Sequence, residues 1–212
     1  AQMTTYAKDT GAFRVFGVML MIYTLFCTSC TDQKGSPQAN DGNLRSLTVR
    51  ETADQVLAAL QARDGQRLAS LVHPEKGVRF SPSAHVIRGE DFVFTRDQVE
   101  AFWTDTKTYL WGYAEGSGDP IEMTPMDYAE RYILDRDFTH PSSVNVNDDQ
   151  AAGTTGNNAA EVYPTATRVE YYIEPSAGDS EGGSDWAALR FVFEQVEGSW
   201  LLVAVIHDAW SV

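Results

Sequence analysis

Two polar side chains on one short alternating stretch have the type and spacing for ligand binding. Apolar and polar residues alternate through Val78–Ser81, so Arg79 and Ser81 share one face of a predicted strand. If that face points inward, the guanidinium would hold a ligand carboxylate through charge-assisted hydrogen bonds. The alternative is that Arg79 points to water or pairs with a surface acid such as Glu75.

An aromatic stripe is the second candidate feature. Tyr109, Trp111 and Tyr113 alternate along a predicted strand and would project from one face of it. Core packing explains such a stripe, but buried tyrosine hydroxyls need partners and often line wet pockets. Combined with Arg79 and Ser81, the stripe predicts a mixed cavity that takes a small acidic or ring-containing ligand.

His207 is the one histidine that we place in this predicted pocket. It precedes Asp208 near the end of the last predicted strand, where successive side chains point to opposite faces. The pair therefore cannot act together as a base and its orienting acid unless the strand bulges. We predict a ligand contact for His207 and assign no catalytic residue. No metal-ligand spacing, phosphate loop or nucleophile elbow is present, so no metal or cofactor is predicted.

Helix start signals show which elements would position these side chains. Two capping boxes and one threonine followed by proline predict three helix starts, and Asp64-Gly65 is interpreted as the end of the first helix. A shorter helix is expected before His73-Pro74. The three start signals are Thr48-x-x-Glu51, Thr95-x-x-Gln98 and Thr124-Pro125.

The final third of the chain alternates as a series of strands. We predict a strand over 168–173 and a hairpin of 186–196 with 199–210, which turns at Glu197-Gly198. Strands joined by hairpins form an antiparallel sheet, so the fold class is α+β. Residues 139–164 lack periodicity and are predicted to form one long loop.

The element order over residues 46–212 resembles the nuclear transport factor two-like fold, which ketosteroid isomerases and polyketide cyclases share. This resemblance implies N-terminal helices packed on a strongly curved antiparallel sheet, forming a cone with a pocket at its open end. Dimers are common in this fold and use the sheet as their interface, so the resemblance also implies a homodimer as one possible assembly. The strings 73–82 and 207–210 resemble an uncharacterised group of bacterial secreted proteins.

The same resemblance leaves three classes of function open. A binding or accessory domain is our first hypothesis, because no residue matches the catalytic Asp and oxyanion-hole donors of the family's enzymes. A small enzyme of ketosteroid isomerase or cyclase type is the second, and it would need a buried acid or base with a shifted pKa. A structural protein-interaction domain is the third.

The N-terminal region carries a targeting signal. Lys8 and Arg14 precede an apolar run over 15–26 that is too short to span a bilayer but has the length of a secretory signal. Two small residues and Cys30 follow, which resembles the cleavage box of bacterial lipoproteins. The resemblance implies acylation of Cys30, which would anchor the protein to a membrane outside the cytoplasm. An ordinary secretory signal cut near Ser29, or an uncleaved anchor, are the alternatives.

Composition completes the predicted organisation. We divide the chain into a signal peptide (1–29), a polar linker that begins at the lipidated cysteine (30–45) and one α+β domain (46–212). The chain carries 16 basic and 30 acidic residues, a net charge of −14, which repels nucleic acid and argues against it as a partner. No cysteine lies beyond Cys30, so the domain has no disulfide.

Overall fold

The computed structural model describes residues 47–151, 153, 155–176 and 183–210. The predicted signal peptide, the linker and the acylated Cys30 lie outside these residues, so they stay predictions. Within the same ranges, no helix has both the length and the apolar character that a membrane crossing requires.

Helices dominate the first part of the described chain and strands the second. The helices are α1 Val49–Gln61, α2 Gly65–Leu71, α3 Arg96–Glu100, α4 Pro125–Tyr132 and α5 Ala159–Val162. The strands are β1 Val78–Ser81, β2 Val93–Phe94, β3 Tyr109–Tyr113, β4 Pro120–Met123, β5 Ser143–Val146, β6 Thr167–Ile173, β7 Ala187–Val196 and β8 Ser199–Ala209.

The helix starts follow their capping signals. Both capping boxes form, at Thr48 and at Thr95, and the Thr124 hydroxyl accepts from the backbone N–H of Asp127 at the start of α4. One interpretation was wrong: α1 ends before Asp64, whose side chain instead caps the start of α2. A carboxylate accepts hydrogen bonds from the unpaired backbone N–H groups at a helix start, which is why Asp suits this position.

A six-stranded sheet in the order β2-β1-β8-β7-β6-β5 forms the centre of the fold, beside a β3-β4 hairpin. The α+β class is confirmed. The predicted β7-β8 hairpin is confirmed too, and it turns through Glu197 and Gly198, both with positive φ. That conformation matches the twist of the two strands.

The sheet is mixed, which differs from the antiparallel sheet that the sequence predicted. β1 runs parallel to β8, with Phe80 opposite Val205. These two strands are far apart in the chain and no tight turn joins them. Only a short hairpin forces neighbouring strands to be antiparallel, so nothing local dictated the direction of β1.

The segment that we predicted as one long loop, 139–164, contains β5 and α5, and β4 also escaped prediction. Both missed strands have four residues; β4 begins with Pro120, and β5 is half polar. Neither sequence has a clear strand pattern; β4 is stabilised by hydrogen bonds to β3, and β5 by hydrogen bonds to β6.

The sheet is covered on both faces. On one face the helices pack over the main core, which includes Phe80, Phe191 and Val205. On the other face a smaller cluster, which includes Ala204 and Ile206, lies beneath the segment that carries α5. This division into a helix-covered face and an opposite face decides where each polar side chain of β1 and β8 can act.

Candidate functional site

A pocket of about 300 Å³ opens where β1, β3 and β8 end beside the C-terminal turn of α4. Tyr113, Tyr132 and Trp210 give it aromatic surface, and Arg131 and His207 give it cationic or ionisable groups. A concave site with aromatic walls and few polar groups is typical of small-ligand sites. We call this site the strand-end pocket.

A histidine–carboxylate pair lies at the strand-end pocket. His207 Nε2 is 3.3 Å from Asp135 Oδ2, and the histidine is only 8% exposed. Nδ1, the other ring nitrogen, makes no hydrogen bond with a described residue. The second carboxylate oxygen of Asp135 is buried and has no partner among those residues. The carboxylate therefore orients the ring and leaves one nitrogen for another molecule.

Tyr132 and Arg131 bring a hydroxyl and a fixed positive charge to the same place. The Tyr132 ring meets the His207 ring edge to face, with centroids 5.6 Å apart. Burial raises the pKa of the Tyr132 hydroxyl, so it remains a donor at neutral pH. The Arg131 guanidinium lies 5.5 Å from the centroid of the Tyr132 ring and makes no ion pair with a described residue.

Two acids also line the strand-end pocket, and one of them is already paired. Asp208 Oδ2 accepts from Arg190 Nη2 at 2.7 Å, and burial is the main cause that raises the pKa of the Asp208 carboxyl. Glu115 is the other acid. Among the described lining residues Arg131 is the one arginine or lysine, so it is the group best placed to hold an incoming anion.

The fold is similar to that of NTF2-like proteins. An NTF2-like protein from Cytophaga hutchinsonii is 14% identical, with 77% of this chain and 99% of that chain covered and a TM-score of 0.36. A putative calcium/calmodulin dependent protein kinase II association domain from Xanthomonas campestris is 18% identical, with 77% and 89% covered and a TM-score of 0.31. These values are too low to transfer a ligand or an activity.

Sequence comparison adds no family. No protein-family model matches this chain, and no curated protein matches it. The chemistry of the site therefore rests on the residues of the chain itself.

Two of the predicted ligand-binding residues, Tyr113 and His207, come together in the strand-end pocket. Tyr109 and Trp111 lie in the core instead, and Trp111 is fully buried. The stripe divides because Gly112 has a φ of 141° and the β3-β4 register shifts between Leu110 and Tyr113. Such an irregularity turns the next side chain away from its expected face.

Arg79 and Ser81 lie on the opposite face of the sheet, beside Ala204 and Ile206 in the parallel pairing. The Ser81 hydroxyl donates to the carbonyl of Ser83 at 2.9 Å. Neither side chain joins His207, so the structure does not assemble the predicted set in one cavity. A ligand-binding role for these two residues stays a prediction, at a different place.

His207 and Asp208 point to opposite faces, as their strand positions predicted: one contacts Asp135 and the other Arg190. Sequence reasoning missed Asp135, because it follows α4 in a turn that carries no motif. Tyr132 lies in α4, the helix that the Thr124-Pro125 signal predicted, but it was given no site role from the sequence. Within the described residues, no group of three His, Cys, Asp or Glu side chains could hold a metal ion.

Proposed function

We propose that this chain is a binding domain for a small ligand that combines a ring with an acidic group, held in the strand-end pocket. The observation that carries the proposal is Arg131, an arginine without an ion pair among the described residues, packed on Tyr132 at the pocket wall. In a chain of net charge −14, an unpaired guanidinium beside aromatic rings is a specific place for an anion.

The pocket walls determine the class of ligand. Tyr113 and Trp210 are 45% and 42% exposed, so their rings offer apolar area that a planar ligand would cover. The Tyr132 hydroxyl supplies a directional hydrogen bond, as does Nδ1 of His207, which has no hydrogen-bond partner among the described residues. A carboxylate on the ligand would meet Arg131.

We also propose that the domain works outside the cytoplasm, tethered to a membrane by an acylated Cys30. The support is the apolar run over 15–26 that ends in two small residues and this cysteine. Metabolic labelling with a fatty-acid analogue should mark the wild-type protein and not Cys30→Ser. Equal labelling of both would contradict the tether without touching the pocket.

The binding proposal is tested by titrating the full chain with aromatic carboxylates, such as benzoate and indole carboxylates, while following tryptophan fluorescence. Arg131→Gln should weaken binding by about tenfold or more, because it removes a charge-assisted hydrogen bond. Tyr132→Phe should weaken it by a few-fold. Arg67→Gln, on the exposed side of α2, is the matched control and should bind like wild type.

Two results would overturn the binding proposal. One is that no aromatic carboxylate binds in a saturable manner. The other is that Arg131→Gln and Arg67→Gln weaken binding equally, which would assign the effect to net charge and not to the strand-end pocket.

The His207–Asp135 pair favours a second function, proton abstraction from a carbon next to a carbonyl group. In a histidine general base, a carboxylate holds one ring nitrogen and the other faces the substrate. Here Asp135 holds Nε2 of His207, and Nδ1 makes no hydrogen bond with a described residue. NMR would follow exchange of such C–H groups with deuterium in added ring ketones. Exchange that is lost in both His207→Gln and Asp135→Asn supports this function; no exchange above the buffer rate excludes it for those ketones.

A further inference from the structure

A second hollow, of about 350 Å³, lies on the face of the sheet opposite to the main core. Lys76, Arg79, Arg88 and Tyr163 surround it, and we call it the basic hollow. The strand-end pocket shares none of these residues. The basic hollow is therefore a separate site, and variants in one leave the other intact.

Arg79 is held in place at the basic hollow by neutral groups. Its Nε donates to the Tyr163 hydroxyl at 3.2 Å, and its Nη1 donates to the carbonyls of Arg88 and Asp91 at 3.1 and 2.9 Å. Its Nη2 has no hydrogen bond with a described residue. The guanidinium is thus fixed without losing its charge to a carboxylate, and one donor nitrogen remains available.

Arg88 is arranged in the same way. Its Nη2 donates to the carbonyl of Val162, at the end of α5, while Nε and Nη1 make no hydrogen bond with a described residue. Neither Arg79 nor Arg88 forms an ion pair within the described part of the chain, because the described hydrogen-bond partners of both are neutral oxygens. The short α5 segment therefore holds one side chain through Val162 and the other through Tyr163.

Lys76 adds a third cation, and Glu194 adds the one carboxylate that lines the basic hollow. Lys76 Nζ lies 2.5 Å from Glu194 Oε2. Asp91 is close to Arg79, but its carboxylate accepts from the backbone N–H of Ile87 and does not line the hollow. Among the side chains that line the basic hollow, three cations and one carboxylate leave an excess of two positive charges, which matches a dianion.

We propose that the basic hollow binds a phosphomonoester or phosphate dianion. Two guanidiniums with unused N–H donors, and an ammonium beside them, suit the several acceptor oxygens of a phosphate. The apolar side chain of Val203, which is only 4% exposed, lines the same hollow and excludes water from one side of the bound group. The phosphate can come from a soluble molecule or from a lipid headgroup.

The test compares two double variants with the same change in net charge. Lys76→Gln with Arg88→Gln alters the basic hollow; Arg67→Gln with Lys107→Gln removes two exposed cations elsewhere. All four side chains are exposed, so folding is preserved, and circular dichroism confirms it. Calorimetric titration of the full chain with inorganic phosphate, at constant ionic strength, gives the affinity. Vesicles with phosphatidic acid, against vesicles with phosphatidylglycerol, form the lipid arm.

We expect saturable phosphate binding that is about tenfold weaker or more in the basic-hollow variant and unchanged in the control variant. The same pattern with phosphatidic acid vesicles alone also supports the site, and it identifies the lipid as the source. Equal weakening in both double variants would overturn the proposal, as would the absence of binding in both arms. Arg131→Gln should leave phosphate binding unchanged, so the two proposals fail independently.

Discussion

Arg190 Nη2 donates to Asp208 Oδ2 at 2.7 Å, on the face of the sheet opposite to the main core. The same guanidinium donates through Nε to Glu170 at 2.8 Å. Arg190 and Glu170 have no solvent exposure, and Asp208 is 4% exposed. One cation thus holds two carboxylates away from water.

Removing Arg190 should strongly destabilise the domain. Arg190→Met fills similar space but leaves two buried carboxylates without their cation, which costs about 3–5 kcal/mol. Denaturant unfolding at pH 7.5 measures the loss. The loss should shrink as the pH falls, because burial raises the pKa of the Asp208 carboxyl and its protonation removes one uncompensated charge. A loss below ~1 kcal/mol at pH 7.5 would show that water or other groups already satisfy these acids.

A triple variant tests whether the destabilisation of Arg190→Met comes from the uncompensated charges of Glu170 and Asp208. Combining Arg190→Met with Glu170→Gln and Asp208→Asn removes the uncompensated charges, so the triple variant should be more stable than Arg190→Met alone. If the triple variant is less stable than the single variant, the hydrogen bonds that the Glu170 carboxylate accepts from the backbone N–H groups of Gln150 and Ala151 matter more than the charge.

Asp91 should make the domain less stable as the pH rises from about 4 to 6. Burial is the largest cause that raises the pKa of Asp91, from the usual 3.8 to about 6. In that window the folded protein binds more protons than the unfolded chain, so the free energy of unfolding falls with pH, by about 3 kcal/mol in all. Asp91→Asn should remove this contribution.

The measurement for Asp91 is the difference in unfolding free energy between wild type and Asp91→Asn at pH 4 and at pH 7. The variant should gain relative to wild type as the pH rises. Asp119→Asn, in an exposed loop, serves as the control with the same chemical change. A difference that stays constant with pH would mean that Asp91 is ionised as easily in the fold as in water.

Gly77 should tolerate no side chain, whereas Gly118 should tolerate one at modest cost. Both have positive φ, 67° and 71°. A Cβ on Gly77 would lie 2.2 Å from the carbonyl oxygen of Phe94, while a Cβ on Gly118 meets nothing within 4 Å. Gly118→Ala should therefore cost about 1–2 kcal/mol, from the backbone conformation alone. Gly77→Ala should cost clearly more; equal melting temperatures for the two variants would contradict this.

Two residues of the aromatic stripe on β3 should contribute very differently to stability. Trp111 stacks on Tyr128 with centroids 3.8 Å apart and donates to the carbonyl of Met123 at 2.9 Å. Trp111→Ala should cost about 3–5 kcal/mol. Tyr113→Ala, at a half-exposed position, should change the free energy of unfolding by less than ~0.5 kcal/mol. Thermal unfolding separates the two, and similar losses would show that Tyr113 also packs in the core.

Local rules predicted the helix starts and the final hairpin, because the atoms that decide them are close in sequence. Thr48 and Glu51 bond to each other's backbone within one turn. Glu197 and Gly198 adopt the turn by themselves. No distant residue has to be known for either prediction.

The site could be predicted only in part, because it depends on contacts between distant segments. The alternation around Arg79 gave two faces but not which one meets the helices; Phe80 decides that by packing against Trp111 and Tyr128. Asp135 became part of the site only because α4 ends against β8. Neither relation has a signature within the local sequence.

The parallel pairing of β1 with β8 affects how the protein folds during its synthesis. Residues near 79 have their sheet partners near 204, so a ribosome must finish β8 before β1 gains its inner neighbour. Until then β1 stays exposed on the nascent chain, together with its apolar side chains, which the folded protein buries. Closing so long a loop is slow, and β1 is an open edge during that time. A chaperone that delays collapse should therefore assist this chain, even though both faces of the sheet are covered in the folded protein.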